Sequence, residues 1–145
     1  MRVEMRTISV LLAALGVLGV LAGTADAGES SSGAALYAEH CAACHGAELE
    51  GQPNWRSPNP DGTLPAPPHD ESGHTWHHGD QLLFDYVKLG GAATMAARGA
   101  AGFKSGMPGF AEILSDWEIW EILAFLKLHW SARARTYQKQ ASDAE

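Results

Sequence analysis

Two thiols and an imidazole stand within five residues of one another in Cys41-Ala42-Ala43-Cys44-His45, and these are the only cysteines in the chain. Thiols three positions apart at a helix end lie on one face, and the neighbouring imidazole reaches out from the same side. That arrangement lets each sulfur form a thioether with a vinyl group of a haem while His45 reaches the iron, which is the C-x-x-C-H attachment pattern. Two other chemistries use the same residue types. A redox dithiol needs only C-x-x-C, but its fold needs strands in a βαβ pattern, and nothing in the sequence supplies them. A zinc site would recruit the two cysteines with His74, His77 or His78. A structural disulfide between Cys41 and Cys44 would close too short a loop to hold the rest of the chain together. The histidine immediately after the second thiol favours haem over both rivals.

If His45 holds one face of an iron, a second ligand is needed, and beyond residue 27 the chain offers two methionines, Met95 and Met107. Met107 sits in Ser105-Gly106-Met107-Pro108-Gly109-Phe110. Pro108 biases Met107 away from helical angles, and the flanking glycines allow the backbone to approach a flat cofactor closely. Met95 lies among alanines, where filling a gap is the ordinary role of methionine. Met107 is therefore the expected axial ligand, with a loop histidine as the alternative. Trp55 and Arg56 are suitable hydrogen-bond donors for a haem propionate, the competing role for Arg56 being a solvated loop residue.

These groups need elements to position them. Ser30 to Gly33 read as a flexible lead with a serine cap, followed by an alanine-rich helix that carries the cysteines and ends near Gly46. Between Gly46 and Gly79 stand six of the seven prolines (Pro53, Pro58, Pro60, Pro65, Pro67 and Pro68), so a long irregular loop is expected, of the kind that wraps a cofactor. Asp80 to Leu89 has helical apolar spacing with Gly90-Gly91 as its stop. Ser115-Asp116-Trp117-Glu118 is a capping box, and behind it Ile119, Ile122, Leu123, Leu126 and Trp130 repeat at helical spacing, predicting a helix to about Ala134. The tail beyond Arg135 is polar and expected to fray. No alternating run demands a sheet.

At the start, Arg2 and Arg6 precede an apolar run from Val10 to Ala22, and Ala25-Asp26-Ala27 follows. This is the layout of a secretory signal occupying residues 1–27, so a periplasmic location is expected; the apolar run is shorter than the roughly 18 residues a membrane span needs. Membrane association would then come only through a partner or an uncleaved signal. Residues 28–145 make one domain, with its core about 33–131 and a polar tail 132–145. Their formal charge is −7, because the leader carries two acids and two bases. That acidity argues against nucleic acid and suits a partner with a basic docking face.

The order of these features resembles the class I c-type cytochromes: C-A-A-C-H after a first helix, a covering loop, Met107-Pro108-Gly109-Phe110, and a final amphipathic helix. The resemblance extends from Gly33 to Trp130 and implies an all-α cytochrome c fold, with three to five helices around one covalently attached haem. It implies an electron carrier rather than an enzyme, exchanging electrons with redox partner proteins and working as a monomer. A haem protein with a labile sixth ligand, or a subunit of a larger oxidoreductase, are the alternatives. Family members usually aim the second nitrogen of the proximal histidine at a proline carbonyl, and Pro53 is the expected acceptor. By the same analogy the first and last helices cross through Leu36, Tyr37, Ile122, Leu123 and Leu126. The chain departs from the pattern in lacking a lysine-rich face and in its histidines: His69, His74, His77 and His78 read as loop packing or, more sharply, as an auxiliary metal site.

Overall fold

The computed structural model describes residues 25–145, with side chains described from Gly33 onward. The proposed signal, residues 1–27, lies almost wholly outside them. Among the described residues there are six α-helices and no strand: α1 Ala25–His40, α2 Ala42–His45, α3 Asp80–Leu89, α4 Gly91–Ala97, α5 Asp116–Leu128 and α6 Ala132–Asp143, with a 3-10 turn at Thr75–His77. The all-α architecture expected from the sequence is the one observed, with one helix more than the expected range.

α1 runs through Ser30 to Ser32 instead of starting after them, so no serine cap opens it. Gly33 has a different use from the flexible lead expected of it. A Cβ there would lie 2.2 Å from the carbonyl oxygen of Glu121, so the absence of a side chain lets α1 cross α5 backbone to backbone. Tyr37 packs at this crossing, 2% exposed, with its ring 5.5 Å from that of Phe125. Ile119, Ile122, Leu123 and Leu126 complete the buried stripe of α5. Each such side chain contributes about 1.5–3 kcal/mol of apolar burial, so this crossing is the main anchor for the turn that follows α1.

α5 begins as its sequence predicts. The Ser115 hydroxyl accepts from the Glu118 amide, and the Glu118 carboxylate accepts in return from the Ser115 amide. It ends earlier than Ala134, at Leu128. Trp130 turns inward, 2% exposed, and Ser131 opens a new helix by accepting from the Ala134 amide. The tail is thus the packed helix α6. Its Gln138 is buried and donates to Asp80, Ser142 accepts from the Asp80 amide, and the Glu145 carboxylate accepts from the amides of Gln81 and Leu82. α3 has no side-chain cap of its own at Gly79, so α6 supplies the acceptors its first turn lacks.

Candidate haem site

Cys41, Cys44 and His45 lie on one tight helical turn. The amides of Cys44 and His45 both donate to the Cys41 carbonyl, at 3.1 and 2.9 Å, and the chain leaves the turn at Gly46 with φ 83°. Tyr37 holds this exit by donating its hydroxyl to the Gly46 carbonyl at 2.9 Å. Both thiols are free, Cys41 half-buried and Cys44 exposed. Burial, and then the neighbouring Cys44, push the Cys41 thiol up to about 11. A redox dithiol requires the reverse, a depressed thiol, and among the described residues there are none of the strands on which such a site is built.

His45 is buried, and its Nδ1 lies 2.8 Å from the carbonyl oxygen of Pro67. A carbonyl only accepts, so Nδ1 carries the proton and Nε2 keeps the lone pair a metal needs. Burial lowers the pKa of His45 despite this hydrogen bond, which favours the neutral ring. The acceptor is Pro67, and Pro53 is not: Pro53 is exposed at the outset of the excursion. The loop from Gln52 to Ala66 closes on itself, the Gln52 amide donating to the Ala66 carbonyl at 2.8 Å and the Ala66 amide to the Gln52 side chain at 3.0 Å. That closure returns Pro67 to the level of His45. Gly51, at φ 68°, permits it, since a Cβ there would lie 2.4 Å from the Pro68 nitrogen.

Met107 is half-buried against the core, in a loop fastened to the end of α3. The Gly91 amide donates to the Met107 carbonyl, and the Phe110 and Ala111 amides donate to the carbonyls of Val87 and Lys88. The Met107 amide donates to the Ser105 hydroxyl. Met95 lies on α4 instead, where its carbonyl accepts from the Arg98 and Ala100 amides.

Trp55 and Arg56 are brought together, the guanidinium 4.1 Å from the indole centroid, and the indole stacks on His74 at 5.2 Å. Arg56 also donates to the Ser72 carbonyl at 3.4 Å. Among the described residues no three His, Cys, Asp or Glu side chains gather as a metal-holding group. The stretch that would have put His74 and His78 on one helical face is a single 3-10 turn, and their rings meet edge to face at 5.3 Å. His77 and Trp76 pack against Tyr137 of α6. The same observation leaves the zinc alternative without its ligand set.

His69 was legible only as one of these histidines, yet it stacks directly on His45, ring centroids 4.0 Å apart and planes 20° from parallel. Burial first, then His45 and His74, lower its pKa well below the usual histidine value. The only cue in the sequence was its place after Pro67-Pro68.

The donor set fits a c-type haem. Two free thiols stand beside an imidazole whose Nε2 is left for iron, and a thioether is held separately by backbone bonds. The family model for cytochrome c matches residues 30–130. Neither the curated proteins nor the solved structures contain a significant match to the chain. The matched span covers α1 from Glu29's neighbour onward through Trp130, leaving α6 outside it. With that match over most of its length, an all-helical fold and a C-x-x-C-H turn whose histidine is oriented by a proline carbonyl, the chain belongs to the cytochrome c family, whose members carry electrons on covalently bound haem.

Proposed function

We propose that this chain is an exported, single-haem electron carrier of the periplasm, with Cys41 and Cys44 as the thioether attachments and His45 Nε2 and the Met107 sulfur as the two iron ligands. The observation that supports this reading is the Nδ1 bond of His45 to Pro67, which assigns the tautomer and leaves the second ring nitrogen with its lone pair free to bind a metal. The haem supplies a one-electron change at its iron. The residues of the chain do the rest. Cys41 and Cys44 would tie the group to the turn after α1, and His45 and Met107 would hold its iron from both sides, which would leave no position for a substrate. The soft thioether of Met107 favours the ferrous state and raises the potential.

The backbone bonds that fasten the Met107 loop to α3 favour a carrier over a protein with a labile sixth ligand. Trp55 and Arg56 are the proposed propionate donors, and Arg56 would exchange its weak bond to the Ser72 carbonyl for a charged acceptor. The net charge of −7 suits a redox partner with a basic docking face. No helix among the described residues is long and apolar enough to cross a membrane, which is compatible with export by a cleaved leader.

Expression with a haem-attachment system tests the reading. The product is expected to gain the mass of one haem, retain it through acid-acetone extraction, and show a low-spin spectrum with a methionine charge-transfer band. A high-spin spectrum that shifts with carbon monoxide would favour the labile-ligand alternative, and a colourless product of peptide mass would end both.

A further inference from the structure

His69 is held at four points around its ring and backbone. Its Nδ1 lies 2.8 Å from the Thr75 hydroxyl, which itself donates to the Pro68 carbonyl. Its amide donates to the Leu49 carbonyl at 2.8 Å, and its own carbonyl accepts from the Trp130 indole at 2.8 Å. Tyr37 meets the ring edge-on at 6.1 Å. The ring so fixed lies almost parallel to that of His45, 20° apart at 4.0 Å.

The bond from Nδ1 to Pro67 restrains the His45 ring at one edge only, and because a hydrogen bond tolerates tens of degrees of bending it leaves a pivot about the Cβ–Cγ axis. A second flat ring stacked at van der Waals distance removes the pivot, because tilting either ring forfeits contact over the whole face. An aliphatic side chain of similar volume would fill the space without defining an angle. The plane of an axial imidazole determines which iron d orbital its π electrons meet, and hence how unpaired spin is distributed over a ferric haem.

We propose that His69 is a positioning residue that sets the plane of the His45 imidazole. The inference rests on His45 being an iron ligand. Its test compares ferric holoprotein, wild type against His69→Leu and His69→Phe, by the haem ring-methyl proton shifts and the electron paramagnetic resonance g-values. His69→Leu is expected to reorder the methyl resonances and move the largest g-value, whereas His69→Phe, which keeps a flat ring, retains the wild-type pattern. A leucine variant with unchanged spectra overturns the proposal, and so do equal changes in both variants, since flatness would then be irrelevant. Should the leucine variant fail to fold, Thr75→Val removes the anchor of the His69 ring while leaving both rings in place. It is expected to broaden the methyl resonances, and unchanged lines would overturn the proposal. A ferric wild type whose iron shows no coupling to a histidine nitrogen is a different outcome, which defeats the assignment of His45 itself.

Discussion

Gly90 and Gly109 meet backbone to backbone: a Cβ on Gly90 would lie 2.7 Å from the Gly109 nitrogen, and one on Gly109 would lie 2.7 Å from the carbonyl carbon of Leu89. The loop carrying Met107 is thereby seated on the last turn of α3, where the Gly91 amide reaches the Met107 carbonyl. Gly90 also has φ 84°, a conformation other residues adopt only at a cost of about 1–3 kcal/mol.

Gly109→Ala is therefore expected to lift the loop and weaken sulfur ligation. The methionine charge-transfer band of the ferric protein should diminish, and exogenous imidazole should bind at lower concentration. An unaltered band at wild-type imidazole affinity would show that the loop does not depend on this contact.

Met107→Ala should lower the midpoint potential substantially and open a coordination position, whereas Met95→Ala should leave the potential close to wild type. The half-buried thioether of Met107 is the one held in an irregular loop, while Met95 is on a helix. Redox titration of the two variants decides between them, and a larger fall for Met95→Ala would reverse the ligand assignment.

Gly51→Ala is expected to push Pro67 away from His45, because the added carbon would lie 2.6 Å from the Pro67 carbonyl carbon. Loss of the Nδ1 hydrogen bond makes the imidazole a weaker donor to ferric iron, so the potential should rise. Stability should fall by about 1–3 kcal/mol from the positive φ. A destabilised protein with an unmoved potential would mean that Pro67 does not tune the ligand.

The acceptors that α6 lends to α3 should be measurable. Glu145→Ala removes a carboxylate that takes two first-turn amides, at 2.7 and 3.0 Å, and is expected to cost about 0.5–2 kcal/mol, the usual range for a lost cap. Denaturant titration reads this directly, and no change in midpoint would mean that water replaces the cap without loss.

Acid should destabilise the protein in two stages. Burial depresses the pKa of His74, and burial with the nearby His77 depresses that of His78. The unfolded chain then binds more protons than the native one below the ordinary histidine value of 6.5, so stability falls as pH drops through that region. Asp61, Glu71 and Glu118 are lowered by hydrogen bonds to Thr63, Ser131 and Ser115 respectively, and their contribution is lost only at more acid pH, below the carboxylate values of the unfolded state. Melting temperatures recorded from pH 8 to pH 4 should decline first below pH 6.5, and a flat profile between pH 7 and 5 would refute the histidine contribution.

Local patterns were legible wherever the deciding interactions lie within a few residues. Cys41, Cys44 and His45 share one turn, Ser115 and Glu118 cap each other across three positions, and α3 spans Asp80–Leu89 between the signals that delimit it. The crossing of α1 with α5 was expected from the family resemblance and not from any local pattern, and Gly33 reads as a linker because a glycine after three serines looks like one until its neighbour Glu121 is known.

The amino-acid sequence alone determined the C-x-x-C-H turn, the helix Asp80–Leu89 and the capped start of α5, because periodicity, caps and short spacings are properties of neighbouring residues. The tertiary structure alone decided that Pro67, and not Pro53, meets His45, that His69 lies flat against it, and that residues 132–143 form a helix packed on α3. Each of these depends on where a long proline-rich loop closes or on acceptors borrowed across the fold. Contacts between residues 22 to 64 positions apart, such as His45 with Pro67 or Gln81 with Glu145, leave no local spacing to read.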